Sequence, residues 1–151
     1  MAEPVLTKRF QSALAYAFEL HNNQVRKGRH VPYVAHLLAV SALVLEDGGD
    51  EDQAIAALLH DAVEDQGGKE TLRIIRERYG DRVAEIVSGC TDADIIPKPP
   101  WRQRKEAYLR HLASASPEIR RVSLADKLHN ARSLVEDLRY EGEIIWDRFN
   151  G

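Results

Sequence analysis

Four residues within six positions, His60, Asp61, Glu64 and Asp65, have the types and spacing in this chain that suggest chemistry. At 100° per residue in a helix they occupy one arc of about 140°. They follow Ala54-Ile55-Ala56-Ala57-Leu58-Leu59, a run apolar on every side and therefore expected to be buried. Carboxylates that continue from a buried run are costly without compensation, and a divalent cation supplies it. A helix end emerging into water, with its acids solvated, would show the same arc. Two further positions share this ambiguity. His36 stands among Tyr33-Val34-Ala35 and Leu37-Leu38, as either a hydrogen-bonded core histidine or a ligand. Asp126 shares a stripe with Ile119, Val122, Asn130 and Ser133, apolar at first and polar later. That stripe fits a helix rising from core to solvent as well as a helix delivering a ligand.

Helices must position these groups. Apolar periodicity predicts a first helix from about Leu6 to Asn23, with Phe10, Leu14, Ala17, Phe18 and His21 on one stripe. Gly28 and Pro32 break it, and the intervening loop is basic through Arg26, Lys27, Arg29 and His30. A second helix follows at Tyr33–Glu46, closed by Gly48-Gly49. Asp50, or the Glu51-Asp52 pair, can cap a third helix reaching Glu64, stopped by Gly67-Gly68. Further helices are expected at Lys69–Tyr79, Asp81–Cys90, Trp101–Ala113 and Pro117–Tyr140, with a short one at Glu143–Phe149. Gly80, the stiff loop Pro97-Lys98-Pro99-Pro100 and Ser116-Pro117 supply the breaks. No segment alternates with period two, so the fold class is all-α.

The 151 residues suit one domain, spanning 1–151. A net charge of -3 lacks the basic stripe that a nucleic-acid polymer demands, while leaving room for a small anionic nucleotide. Cys90 is the single cysteine, which excludes an internal disulfide and fits a reducing compartment, where it reads as a small buried hydrophobe. The N-terminus lacks the apolar core of a signal peptide, and no apolar run approaches a membrane span. The expected location is the cytoplasm, with no membrane partner.

Three segments together are specific: Gln24-Val25-Arg26-Lys27 through Pro32-Tyr33-Val34-Ala35-His36, Leu58-Leu59-His60-Asp61-Ala62-Val63-Glu64-Asp65, and Leu124-Ala125-Asp126-Lys127-Leu128-His129-Asn130. In order and spacing they resemble the H…HD…D signature of the HD-domain superfamily. More closely, they resemble the hydrolase domain of the Rel/Spo family and its stand-alone small alarmone hydrolases. The resemblance implies one Mn²⁺ held by His36, His60, Asp61 and Asp126, although such ligands also take other divalent ions. It makes Glu64 and Asp65 the acidic pair that orients and deprotonates the attacking water. A partner role to a metal histidine is the other reading of Glu64, and capping of the next turn that of Asp65. Arg26 and Lys27 become the basic pair at the substrate pocket, the arginine against a guanine ring, with solvated loop charge as the alternative. Asn130 and Ser133 match positions lining the nucleotide pocket. Trp101-Arg102-Gln103-Arg104-Lys105 reads as a solvated helix face outside the site.

The implied activity is removal of the 3′-pyrophosphate from guanosine 3′,5′-bis(pyrophosphate) by metal-activated water, which would end a stringent response. No space remains for the alarmone synthetase domain of long family members. A nucleotidase or an NADPH phosphatase with the same metal site is an alternative, and so is a catalytically silent regulatory module. All four ligand positions and both acids are intact, against the silent reading. Leu37 replaces a usual proline, Ala62 and Gln66 replace usual threonines, and loop 28–32 differs in length and charge. These departures spare the metal set and bear on base selectivity. Similar proteins commonly continue past the position of Gly151 into another helix, so one pocket wall is expected to be missing or formed differently.

Overall fold

Residues 5–92 and 98–149 are described by the computed structural model of the protein. Part of the Pro97–Pro100 loop and the terminal residues lie outside them. The elements are α1 (Lys8–His21), α2 (Tyr33–Glu46), α3 (Glu51–Leu59), α4 (Ala62–Asp65), α5 (Gly68–Tyr79), α6 (Asp81–Gly89), α7 (Trp101–Ser114) and α8 (Pro117–Glu141). A 3₁₀ helix at Gly142–Arg148 follows. Among the described residues the only β pairing is an isolated bridge between Val25 and Pro32. The all-α expectation holds.

Helix α3 is the hub. Every residue from Ala54 to Leu59 is fully buried, and α3 packs against α1, α2, α6 and α8. Asp50 starts it: the carboxylate accepts from Gln53 N–H at 3.0 Å and holds Arg82 at 2.7 Å. The tight turn before it needs glycine at position 49, where a Cβ would lie 2.6 Å from Val44 Cγ1 and 2.8 Å from Val44 O. Along α1, Ala17 and His21 are buried and Phe10 and Leu14 pack on the core, but Phe18 is 56% exposed. The buried face turns instead toward Ala13 and Tyr16, so Phe18 falls beyond its edge.

Two expected elements differ. The third helix does not run unbroken to Glu64 but ends at Leu59, and a single turn, α4, restarts at Ala62. The reason lies in His60, whose Nδ1 takes the Ala57 carbonyl at 2.6 Å and competes with the backbone ladder there. The final element is 3₁₀ rather than α. Helix α7 is pinned at its inner face by Tyr108 Oη to Ser123 Oγ, 3.0 Å, and His111 Nε2 to Gly89 O, 2.9 Å. Cys90 packs against the core as expected of a small hydrophobe, and burial pushes its thiol up to about 12. No helix among the described residues is long and apolar enough to cross a membrane.

Candidate metal centre and adjoining cleft

The kink after α3 brings His60 and Asp61 to face His36, in the first turn of α2, and Asp126, in the third turn of α8. One donor atom from each of these four lies within 4.8 Å of all the others. His36 Nε2 is 3.0 Å from Asp126 Oδ1 and 3.6 Å from Asp61 Oδ2. His60 Nε2 is 3.2 Å from the same Asp126 oxygen and 3.1 Å from Asp61 Oδ2. Both histidines and Asp126 are buried, and Asp61 is nearly so. Tyr33 Oη donates to Asp61 Oδ2 at 2.5 Å, while Lys127 Nζ donates to Asp126 Oδ2 at 2.9 Å.

The electrostatics centre on positive charge. Burial by itself would suppress a proton on His60, yet Asp61 and Asp126 lift it well above the ordinary imidazole value. At His36 burial prevails and the value falls. Burial would also raise the carboxyls, but His60 holds Asp61 down at about 2, and bonds from His36 and His60 hold Asp126 low. Two acids that stay ionised against burial make a site that draws a cation.

A cleft of about 750 Å³ opens beside this cluster. Its walls include His36 at the cluster end and Arg26, Lys27, Asp65, Asn130 and Ser133 farther out. Arg26 donates to Asn130 Oδ1 at 3.0 Å and its guanidinium lies 6.0 Å from the Tyr33 ring centroid. Asp65 is exposed and accepts from Gln24 Nε2 at 3.1 Å rather than capping the next turn. Glu64 does not line this cleft. It is half-buried, and its Oε1 accepts from Asp92 N–H at 3.1 Å.

That contact changes the reading of α7. Arg104 and Lys105 are not a solvated face, because each binds Asp92 Oδ2 at 2.7 Å. Arg102, at 87% exposure, does fit that description. Arg148 and Phe149, at the end of the 3₁₀ helix, also line the cleft. Arg148 lies flat on Gly28, where a Cβ would meet its Cζ at 2.2 Å, and binds Asp137 at 2.8 Å. Arg29 binds the same carboxylate at 3.1 Å. Burial would raise Asp137, but these two arginines more than reverse it.

Tyr33 and His129 join the site beyond the residues expected from the sequence. His129 stands one helical turn after Asp126, on its face of α8, and that spacing is the sequence signal for it.

Known proteins resemble this chain in sequence and in fold. The sequence model described as HD domain matches residues 13–149. A guanosine-3′,5′-bis(diphosphate) 3′-pyrophosphohydrolase, MESH1, from Xenopus tropicalis is 38% identical over 125 residues, covering 81% of this chain and 67% of that protein. The protein named guanosine-3′,5′-bis(diphosphate) 3′-pyrophosphohydrolase in Aquifex aeolicus is 37% identical over 134 residues. The match covers 87% of this chain and only 18% of that longer relative. A solved metazoan ortholog of SpoT, described as hydrolysing ppGpp, superposes with a TM-score of 0.77 at 31% identity. That superposition covers 93% of this chain and 74% of the other.

Proposed function

The chain belongs to the HD domain family, and from that premise we propose that it removes the 3′-pyrophosphate from guanosine 3′,5′-bis(diphosphate) alarmones. The observation that carries this reading is the cleft that runs from His36 to the basic wall of Arg26 and Lys27. A nucleotide seated there presents a phosphate to the four-donor cluster and its base to a guanidinium. Relatives of matching sequence carry that activity in their names.

The donor set fits a divalent cation: two Nε2 atoms and two ionised carboxylates converge, and the pair of acids draws positive charge to their centre. We assign the cation to His36, His60, Asp61 and Asp126, and its identity to Mn²⁺, which mixed nitrogen and oxygen ligands suit. When bound, the cation polarises a phosphoryl oxygen and makes a neighbouring water more acidic.

The chain's own residues supply the rest. Water adds to the 3′-linked phosphorus, the bond to the 3′ oxygen breaks, that oxygen takes a proton from solvent, and pyrophosphate leaves GDP or GTP behind. Glu64, fixed by the Asp92 amide, accepts the proton of that water, and Asp65 stands beside it. Arg26 lies against the base, Lys27 faces the phosphates, and Asn130 and Ser133 border the nucleoside. The reading makes the partner a small cytoplasmic nucleotide rather than a nucleic-acid polymer or a membrane.

Product analysis tests it. Purified protein with Mn²⁺ is offered a panel of alarmones, nucleotides and NADPH, and pyrophosphate is measured against orthophosphate. Pyrophosphate with GDP is the expected outcome. Orthophosphate from NADPH or a 5′-nucleotide, with alarmones untouched, would overturn the substrate assignment while keeping the metal site.

A further inference from the structure

Both imidazoles of the cluster turn Nε2 toward its centre. A histidine that offers one nitrogen to a cation carries its hydrogen on the other, and that hydrogen needs an acceptor. His60 has a simple solution. It stands at the C-terminal end of α3, where last-turn carbonyls lack helical donors, and Ala57 O accepts from Nδ1 at 2.6 Å. His36 stands in the first turn of α2, where the groups left over by the helix are N–H donors instead. Its acceptor must come from another element.

It comes from α8. His36 Nδ1 meets His129 Nδ1 at 2.7 Å, across 93 residues of sequence. With the hydrogen on His36, His129 Nδ1 is the acceptor and keeps its own hydrogen on Nε2. We propose that His129 is the positioning residue that fixes His36 as an Nε2 ligand, through this imidazole-to-imidazole hydrogen bond. The inference rests on the cation assignment made above. Helix α8 thereby supplies both a ligand, Asp126, and, one turn later, the group that aims a second ligand from α2. His129 also lines the cleft with His36, so it stands where ligand and substrate meet.

The test compares His129→Leu, which keeps bulk but accepts nothing, with His129→Asn, which places a carbonyl oxygen near the Nδ1 position. Affinities for Mn²⁺ and Co²⁺ are measured by competition with a chelator, and the cobalt absorption spectrum reports ligand geometry. His129→Leu should bind about 10- to 100-fold more weakly with an altered spectrum, and His129→Asn should recover most of that loss. His129→Ala serves the same comparison should leucine disturb the fold. Wild-type affinity and spectrum in the non-accepting variants, or an asparagine variant no better than they are, would overturn the role of His129. Failure of the wild-type protein itself to take up either cation would instead overturn the cation assignment, and His129 with it.

Discussion

Arg26 and Asn130, 104 residues apart, are joined by a hydrogen bond of 3.0 Å from guanidinium to amide oxygen. The amide nitrogen of Asn130 donates in turn to Asp126 Oδ1 at 3.1 Å. One side-chain amide therefore links the residue proposed to hold the base to a residue proposed to hold the cation. The cleft and the metal centre are parts of one hydrogen-bonded unit, built by α8 and the loop after α1.

Arg26→Ala should separate the two. The side chain is outside the donor set, so cation content should stay at the wild-type level. Loss of a charged hydrogen-bond donor, worth about 1.5–3 kcal/mol, should raise KM by about tenfold or more. An unchanged KM would remove Arg26 from the substrate site.

One set of four donors predicts about one divalent ion per chain. His60→Ala and Asp126→Ala should each abolish occupancy and activity together, because each removes one of the four ligands. Elemental analysis decides the point. Full occupancy in either variant contradicts the ligand assignment.

The cap of α3 yields a stability prediction with a definite pH dependence. Burial pushes the Asp50 carboxyl up, but Gln53 N–H and Arg82 more than reverse this, leaving it below the ordinary carboxylate range. A group more acidic folded than unfolded contributes fully above the ordinary range and loses its contribution as pH falls through its folded value. Asp50→Ala should cost about 1 kcal/mol near neutral pH, or about 3 °C in Tm for a domain of this size. The gap between variant and parent should shrink in acid. A gap that stays constant to pH 3 would mean that the carboxylate charge is irrelevant to the cap.

The legible parts of this protein are those governed by local pattern. Ala54–Leu59, apolar all round, announced a buried helix, and Asp50 announced a helix start that its side chain does cap. The four donors were legible through a resemblance, while their convergence depends on three helices meeting. Contacts that cross the chain were hidden. Tyr33 reaches Asp61 over 28 residues and His36 reaches His129 over 93; helical spacing puts His129 on the Asp126 face but does not say which residue of another element it meets. The break after Leu59 was hidden too, because the sequence does not show that the His60 ring turns back to the Ala57 carbonyl. Arg104 and Lys105 looked solvated because their partner, Asp92, lies in the connection after α6, outside their own helix.

Glu64→Gln is the variant that separates chemistry from architecture on this helix turn. The amide retains an oxygen that can accept from Asp92 N–H, so the local structure should persist. It cannot take a proton from the attacking water. General-base assistance contributes about 10²–10⁴ in rate, and turnover should fall by a comparable factor. Cation content and Tm should change little, since Glu64 lies outside the four-donor cluster. KM should hold or fall, because a negative charge is removed near an anionic substrate. Near-normal turnover would make Glu64 a spectator and leave Asp65 as the next candidate for the base. Loss of the cation would place Glu64 in the scaffold that supports the ligands, and the assignment of proton transfer to this side chain would fall.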